Sequence, residues 1–319
     1  MRPRRHTLSR YASSAVLVIA PFVTCSEPTR TVTATATLLE EHFEDAALAT
    51  RGWYDNTGVL LSAVEHAPGS TKSAEFRFVA GATVPTSGLA MRHKFSASTT
   101  LYVSYWVKYS ENWVGSTKAY GPHEFLVLST LDGDYDGPSN NWLTLYIEHN
   151  YRAEGGFPKL GLQDNKAINS SHGTPPIDLR GVTESRSTAG CNGVVEQDVV
   201  TACFDVPPWY NGKEINASAP AFLPASGANY KAQWNHVEAW FQLNSIANSV
   251  GVGDGVMQYW LNGALKIDRH DILFRTAARA DVRFSQFLIA PYMGDGSPIS
   301  QSMFVDDLII ASERPERRR

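Results

Sequence analysis

The 319-residue chain has little positive charge, few cysteines and no long apolar run. Its 28 Lys and Arg face 32 Asp and Glu, and they form no basic stripe. Because nucleic-acid binding depends on clustered positive charge, this balance argues against a nucleic-acid partner. The apolar run Ala15 to Val23 near the N-terminus is too short to span a bilayer as a helix.

That run has the composition of a secretory signal peptide, which we predict over residues 1–25. Four arginines precede it: Arg2, Arg4, Arg5 and Arg10. Cys25 stands where a lipoprotein would carry its acylated cysteine, but Phe22 and Thr24 match the usual small-residue motif poorly, so lipid anchoring and simple cleavage both stay open. Without these four arginines, 24 Lys and Arg remain against 32 Asp and Glu, so we expect an acidic protein that is secreted or held in the cell envelope.

Cysteine is scarce, and only Cys191 and Cys203 remain beyond the signal segment. Eleven residues separate them, and disulfides persist outside the cytoplasm, so we predict a bridge that stabilises the fold by about 2–4 kcal/mol. A metal pair is the weaker alternative, since no His or third Cys stands beside them.

Helical periodicity of any length is also missing, and short alternating segments such as LYVSYWVKYS, WLTLYIEHNYR and VMQYWLNGALKI fill the chain instead. Many short strands separated by Gly- and Asn-rich turns predict an all-β antiparallel sandwich of the jelly-roll kind. We expect a linker over 26–39, one domain over 40–313 and a charged tail over 314–319. The segment 168–233 is rich in Pro, Ser, Gly and Asn and contains the predicted disulfide, so it is expected to be a long ordered loop.

Three stretches resemble the concanavalin A-like lectin/glucanase superfamily, particularly its polysaccharide-lyase and laminin-G-like branches. They are FEDAALATRGWYD, GDGVMQYWLNGALKIDRHDILFRT and FLIAPYMGDGSPISQSMFVDDLII. The resemblance implies a convex and a concave antiparallel sheet, with sugar chains bound along the concave face. The E-x-D-x-x-E strand of the glucanase branch and the Q-I-H triplet of one alginate-lyase branch are absent. The resemblance therefore predicts the fold, and the activity has to be argued from the residues.

One face of the stretch WNHVEAWFQLNS is apolar, whereas the other carries Trp, His, Glu, Gln and Asn. The same test on other strands gives outward faces that mix aromatics with amides and charged groups, which is the mixture that sugar rings and hydroxyls require. We expect one concave binding surface, with substrate-binding residues Trp240, Trp106, Asn150, Asn165, Lys159, Gln242, Gln258 and Trp260. The alternative is that the long loop covers these aromatics and makes a second, minor core.

Three functions fit such a surface. A polysaccharide lyase needs a group that neutralises a uronate carboxylate, a base for the C5 proton and an acid for the leaving oxygen. The candidates for these roles are His236, Tyr146, Gln163, Asn165, Arg92 and His123. A glycoside hydrolase would instead use Glu148 and Glu238 as paired carboxylates, and a binding or adhesion module would use the aromatics with no reaction.

Two local ambiguities affect this list of candidates. In MRHKF, Met91, His93 and Phe95 form the more apolar set, which makes Arg92 the better candidate for the cleft. In PHEF, either His123 or its neighbour Glu124 faces outward, depending on which residues of the strand are core.

Calcium is the only cofactor that the sequence suggests. Asp132, Asp134 and Asp136 match the first half of an EF-hand loop, but Leu143 occupies the place of the closing Glu, so a polar turn is favoured. The resemblance implies a second, structural site between the first and last strands, with Glu44, Asp45 and Asp306 or Asp307 as ligands. No organic cofactor is indicated. We expect a monomer whose partner is a polysaccharide, with a narrow preference for a lyase.

Overall fold

Alternation of apolar and polar residues produces antiparallel strands throughout the part of the chain that the computed structural model describes. That part comprises residues 37–88, 90–116, 122–131, 133–137, 141–163, 214–275 and 277–315, within one unit, Thr35–Arg319. The strands are β1 Thr37–Glu41, β2 Trp53–Asp55, β3 Leu60–Ser62, β4 Ser73–Phe78, β5 Met91–Ser98, β6 Thr100–Tyr109, β7 His123–Leu128, β8 Thr144–Arg152, β9 Gly155–Gln163, β10 Glu214–Asn216, β11 Asn235–Gln242, β12 Ile246–Ala247, β13 Val250–Gly251, β14 Gly255–Leu261, β15 Ala264–Ile272, β16 Phe284–Tyr292 and β17 Gln301–Ala311.

Two large sheets contain most of these strands. The first, here the β6 sheet, has the order β15-β14-β11-β6-β17-β4-β3, and β1 pairs with β17 at its side. The second, here the β8 sheet, has the order β10-β9-β8-β7-β16-β5-β2. Strands β12 and β13 form a small separate hairpin. Two short 3₁₀ helices, Leu48–Arg51 and Ala277–Arg279, are also seen in the described ranges.

The two sheets pack face to face around one apolar core. The β6 sheet contributes alternate residues such as Val103 and Tyr105, and the β8 sheet contributes Leu145 and Ile147 from β8 and Leu160 from β9. All five are fully buried. The period of two therefore identified the inward side of these strands correctly, and the predicted antiparallel sandwich is confirmed.

The Asn-Gly turn after β14 forms as the sequence predicts. Asn262 and Gly263 both have positive φ, 48° and 80°, and Leu261 pairs with Ala264 across the turn. A two-residue turn with positive φ at both positions matches the right-handed twist of the strands that it joins. Strand β1 starts at Thr37, near the end of the predicted linker, and pairs with β17.

Several predicted features lie outside the described residues. They are the signal peptide with Cys25, the disulfide between Cys191 and Cys203, Asn165 and Asp132. Within the described ranges, no helix has the length and apolar character needed to cross a membrane.

Candidate functional site

The structure divides the predicted surface residues between two separate faces. Strands β6, β11 and β14 are neighbours in the β6 sheet, whereas β5, β7, β8 and β9 belong to the β8 sheet. The outer face of the β6 sheet carries Trp106, His236, Glu238, Trp240, Gln242, Gln258 and Trp260. The β8 sheet contributes Arg92, His123, Tyr146, Glu148, Asn150, Lys159 and the backbone position of Gln163.

The expectation of one continuous groove was therefore wrong. Alternation shows which side of a strand is buried, but it does not show which sheet the strand joins. Glu148 and Glu238 lie on the outer faces of opposite sheets, with the whole core between them. A glycoside hydrolase needs its two carboxyl groups on either side of one sugar bond, so these two cannot be that pair.

On the β8 sheet, His123, Glu148 and Lys159 form a hydrogen-bonded cluster. His123 Nδ1 lies 2.5 Å from Glu148 Oε1, and Lys159 Nζ lies 2.5 Å from Glu148 Oε2. Register places Lys159 of β9 directly opposite Glu148 of β8. The side chains of Glu148 and Lys159 are only 2% and 4% exposed, whereas that of His123 is 45% exposed. The carboxylate is thus enclosed by its two partners, and the imidazole is the member of the cluster that reaches solvent.

The charge state of Glu148 follows from these partners. Burial alone would raise its pKa, but the positive charge of Lys159 and the contacts with His123 outweigh burial and lower the pKa to about 2. Glu148 is therefore ionised near neutral pH. An ionised carboxylate 2.5 Å from Nδ1 favours the tautomer in which Nδ1 carries the proton, and this leaves the lone pair on Nε2. Such a histidine can accept a proton from a ligand on the outer face.

Aromatic rings flank His123 on two sides. The Tyr146 ring centroid is 5.0 Å away, and the Tyr292 ring is stacked at 6.1 Å with an interplanar angle of 9°. Burial first, and the charge of Glu148 second, raise the pKa of Tyr146, so its phenol stays protonated. The sequence argument did not consider Tyr292, although alternation in β16, where Ile289 and Met293 are core, places it on the outer face.

A cavity of about 250 Å³ opens beside this cluster. Its lining consists of Ala90, Arg92, His123, Leu126, Gly137, Leu288, Ala290 and Tyr292. The apolar members belong to a second, smaller cluster on the outer face that also includes Tyr146. None of its members comes from the long loop, most of which lies outside the described residues, so the alternative of a loop-covered minor core stays untested. An apolar cleft with a few polar groups at its edge is the usual form of a ligand site.

Arg92 lines the same cavity, and its side chain is only 8% exposed. Its Nε donates to Asp55 Oδ2 at 2.7 Å, and its Nη1 donates to the carbonyl of Asp136 at 3.0 Å and to Gln286 Oε1 at 3.3 Å. Arg92, the better candidate for the cleft from the sequence, thus lines the cavity, whereas His93 Nε2 lies 2.9 Å from the carbonyl of Arg51. Gln286 could have been found by the same alternation in β16, in which Phe287 and Ile289 are core.

The acidic turn does not form a calcium loop in the described residues. The carboxylate of Asp134 pairs with Lys94 at 2.7 Å, while its backbone carbonyl accepts from Gln286 and from the hydroxyl of Tyr54. The carbonyl of Asp136 accepts from Arg92. The turn therefore packs over β2, β5 and β16 through its backbone.

The other predicted calcium ligands also have partners within the protein. Glu44 accepts from the backbone and the hydroxyl of Thr71, Asp45 pairs with Arg51 at 2.6 Å, and Asp306 accepts from the backbone of Ala67 at 2.9 Å. Among the described residues, no three His, Cys, Asp or Glu side chains are arranged to hold a metal ion. This donor set does not fit calcium, and no step below uses a metal.

The polar and aromatic side chains on the outer face of the β6 sheet have a different set of contacts. His236 Nε2 lies 2.7 Å from the hydroxyl of Ser104, and its ring lies 5.0 Å from that of Trp106. Glu238 is buried and accepts from the hydroxyl of Tyr102 at 3.0 Å. Arg314, from the predicted charged tail, covers the Trp260 ring at 3.6 Å.

Comparison with known proteins supports the fold. No protein family model matches the chain, and no curated protein matches its sequence. Among solved structures, it is similar to alginate lyase vAL-1 from Chlorella virus, with a TM-score of 0.53 and 12% identity over 87% of this chain and 100% of that one. It is also similar to the PL-14 alginate lyase from Aplysia kurodai, with a TM-score of 0.52 and 12% identity over 88% and 100%.

A third similar structure is alginate lyase Aly36B, with a TM-score of 0.51 and 15% identity over 89% of this chain and 100% of that one. A variant of that enzyme was solved in complex with an alginate trisaccharide. At these identities the likeness shows the fold alone, which is an antiparallel β-sandwich of the jelly-roll kind.

Proposed function

We propose that the protein is a polysaccharide lyase that cleaves a uronic-acid-containing glycan on the outer face of the β8 sheet. The observation that carries the proposal is the exposed imidazole of His123, held at Nδ1 by the buried, ionised Glu148. A buried carboxylate that orients a solvent-facing histidine is the arrangement that general-base catalysis needs. The alginate lyases of similar fold add support at the level of architecture alone.

In the proposed reaction, His123 Nε2 takes the C5 proton of a uronate residue bound in the cavity. The electron pair of the broken C5–H bond forms the C4–C5 double bond, and the glycosidic oxygen leaves C4. Tyr292 lines the same cavity, and its phenol supplies a proton to that oxygen. The proton gained by His123 then passes to solvent, and the Tyr292 phenolate takes one from solvent, so that both groups are restored and the reaction consumes no water.

The substrate carboxylate needs a positive partner, because removal of the C5 proton builds up negative charge beside it. Arg92 is the described cation that lines the cavity, and its Nε and Nη1 are fixed by Asp55, Asp136 and Gln286. We assign carboxylate recognition to this guanidinium. Lys159 is directed at Glu148 instead, so its role is to keep that carboxylate ionised.

The proposal is tested by incubating the protein with polymannuronate, polyguluronate, glucuronan and a neutral glucan. We expect ultraviolet absorbance from an unsaturated uronate with at least one polyuronate and none with the neutral glucan. Mass spectrometry should show that the new non-reducing end lacks one water relative to a hydrolysis product. Hydrated ends would overturn the lyase proposal in favour of a hydrolase. Binding to a polyuronate without any new ends would identify a non-catalytic module.

We also propose three further features that the sequence predicts. They are export by the N-terminal segment 1–25, a disulfide between Cys191 and Cys203, and a monomeric state. Cys25 as a lipid anchor stays an open alternative to simple cleavage. None of these features enters the proposed reaction.

A further inference from the structure

The two central strands of the β8 sheet carry the same pair of residue types on both of their faces. On the outer face, His123 of β7 contacts Glu148 of β8. On the inner face, the next residue of each strand makes the reverse pair, in which Glu124 Oε2 lies 2.5 Å from His149 Nδ1. The proposed reaction uses only the outer pair, so the inner pair needs its own explanation.

The inner pair belongs to a four-residue group that we call the inner network: Glu124, His149, Tyr109 and Tyr259. The hydroxyl of Tyr109 donates to Glu124 Oε1 at 2.9 Å, and the hydroxyl of Tyr259 lies 2.7 Å from His149 Nε2. Tyr109 and Tyr259 come from β6 and β14, so the network joins the two sheets through the core. All four residues have no exposed surface.

Regular alternation in β7 would give the opposite arrangement. Phe125 and Val127 lie in the core, and Leu126 lies on the outer face. A regular strand would therefore place His123 between the sheets and Glu124 outside. The structure reverses both positions, since His123 contacts Glu148 on the outer face and Glu124 is fully buried.

The strand pairing changes at the same place. The ladder between β7 and β8 ends at Phe125 and Ile147. Along β16, Ile289 pairs with Phe125 but Tyr292 pairs with His123, so β16 advances three residues while β7 advances two. Such bulges re-aim side chains and are common beside active sites. This one also brings the Tyr292 ring parallel to that of His123.

Burial of Glu124 is favourable only while its partners are present. A carboxylate without partners in an apolar core is strongly disfavoured, whereas one that accepts from a phenol and an imidazole is tolerated. Both oxygens of Glu124 have such a partner here. The inner network therefore stabilises the irregular course of β7 relative to the regular one.

We propose that the inner network is a positioning device for His123: by holding Glu124 inside the core, it forces the neighbouring imidazole onto the outer face against Glu148. Its four members are positioning residues and do not touch the substrate. The inference rests on the proposed function for its kinetic consequence only, because the orientation of His123 can be measured without any substrate.

The chain offers a matched pair of variants for this test. Tyr109→Phe removes the hydroxyl that donates to Glu124, whereas Tyr105→Phe removes a hydroxyl four residues earlier on the same face of β6. Tyr105 is equally buried, and its hydroxyl has no hydrogen-bond partner among the residues that the structure describes. Glu124→Gln is the third variant, since it keeps the shape of the side chain and removes its charge.

Two quantities are measured in all three variants: the ¹⁵N resonances of the His123 imidazole, which report its tautomer and environment, and kcat and KM for polyuronate cleavage. We expect Tyr109→Phe and Glu124→Gln to shift the His123 resonances. In Glu124→Gln, kcat should fall by about 100-fold, as expected when a catalytic group moves by about 1 Å, with KM little changed. Tyr105→Phe should leave the resonances and kcat at wild-type values.

Wild-type His123 resonances in folded Tyr109→Phe and Glu124→Gln would overturn the inference, even if both variants were less stable. If Glu124→Gln does not fold, Tyr109→Phe decides alone. If the wild-type protein cleaves no polyuronate, the proposed function fails, and the His123 resonances still decide the positioning role. A shift of equal size in Tyr105→Phe would also contradict the inference, because any core hydroxyl would then have the same effect.

Discussion

Replacement of Glu148 by glutamine is expected to lower kcat by about 10²–10⁴-fold, with a much smaller change in KM. The glutamine amide can donate to His123 Nδ1, which the carboxylate cannot do. The imidazole would then carry its proton on Nε2, the atom that has to accept the C5 proton of the substrate. The loss therefore falls on the chemical step.

The measurement is steady-state kinetics on the best polyuronate, with circular dichroism to show that the variant is folded. Glu238→Gln on the β6 sheet is the matched control, because Glu238 is also buried and also accepts from a neighbouring side chain. We expect wild-type kcat in that control. Equal loss in both variants would mean that the substitution acts through stability, and an unchanged kcat in Glu148→Gln would exclude Glu148 from the mechanism.

The second large effect concerns stability. Lys159→Met is expected to lower the free energy of unfolding by about 3 kcal/mol, because among the described residues it leaves the buried Glu148 with only the half-exposed His123 as partner. Urea denaturation near neutral pH measures this loss. Lys159→Met combined with Glu148→Leu should regain most of the stability, since no buried charge then lacks a partner.

Lys94→Met supplies the comparison for an exposed pair, because the side chains of Lys94 and Asp134 are 49% and 48% exposed. Its effect should be no more than about 1 kcal/mol. Equal losses in the free energy of unfolding for Lys94→Met and Lys159→Met would show that burial of the Glu148–Lys159 pair does not increase its contribution to stability.

The pair of Glu148 and Lys159 also makes the free energy of unfolding depend on pH. In the folded protein the pKa of Glu148 is about 2, which is below its ordinary value of 4.5. A depressed carboxyl pKa contributes stability above the unfolded value, and that contribution is lost as pH falls from about 4.5 toward 2. Lys159→Met removes the main cause of the depression, so we expect a weaker dependence on pH across this window.

The sequence predicted the sandwich because alternation is a local property of each strand. Alternation in WLTLYIEHNYR sets Leu145 and Ile147 on the face opposite Tyr146 and Glu148, and both Leu145 and Ile147 lie in the core. Sheet membership is not local, since it depends on which strands pair. His236 and Glu148 both stand at polar positions of alternating segments. They lie in different sheets because β11 and β8 pair with different strands.

The orientation of His123 is the second point that the sequence left open. Neither of the two alternations considered for PHEF occurs, because Phe125 is core while His123 still faces outward. The inner network explains this break through the burial of Glu124, and its contacts come from residues distant in sequence, such as Tyr109 and His149. Local patterns carry no information about such contacts. In contrast, β5 pairs regularly with β16 from Met91 to Lys94, and Arg92 lies on the side of the strand that alternation favoured.

The most direct test compares His123→Ala with His236→Ala in the same cleavage assay. The two substitutions are chemically identical, and they remove one half-buried histidine from the outer face of each sheet. If the site lies on the β8 sheet, His123→Ala reduces formation of the unsaturated product by about 10²-fold or more, and His236→Ala retains the wild-type rate. Loss of cleavage in His236→Ala with full activity in His123→Ala would contradict the account and place the reaction on the β6 sheet.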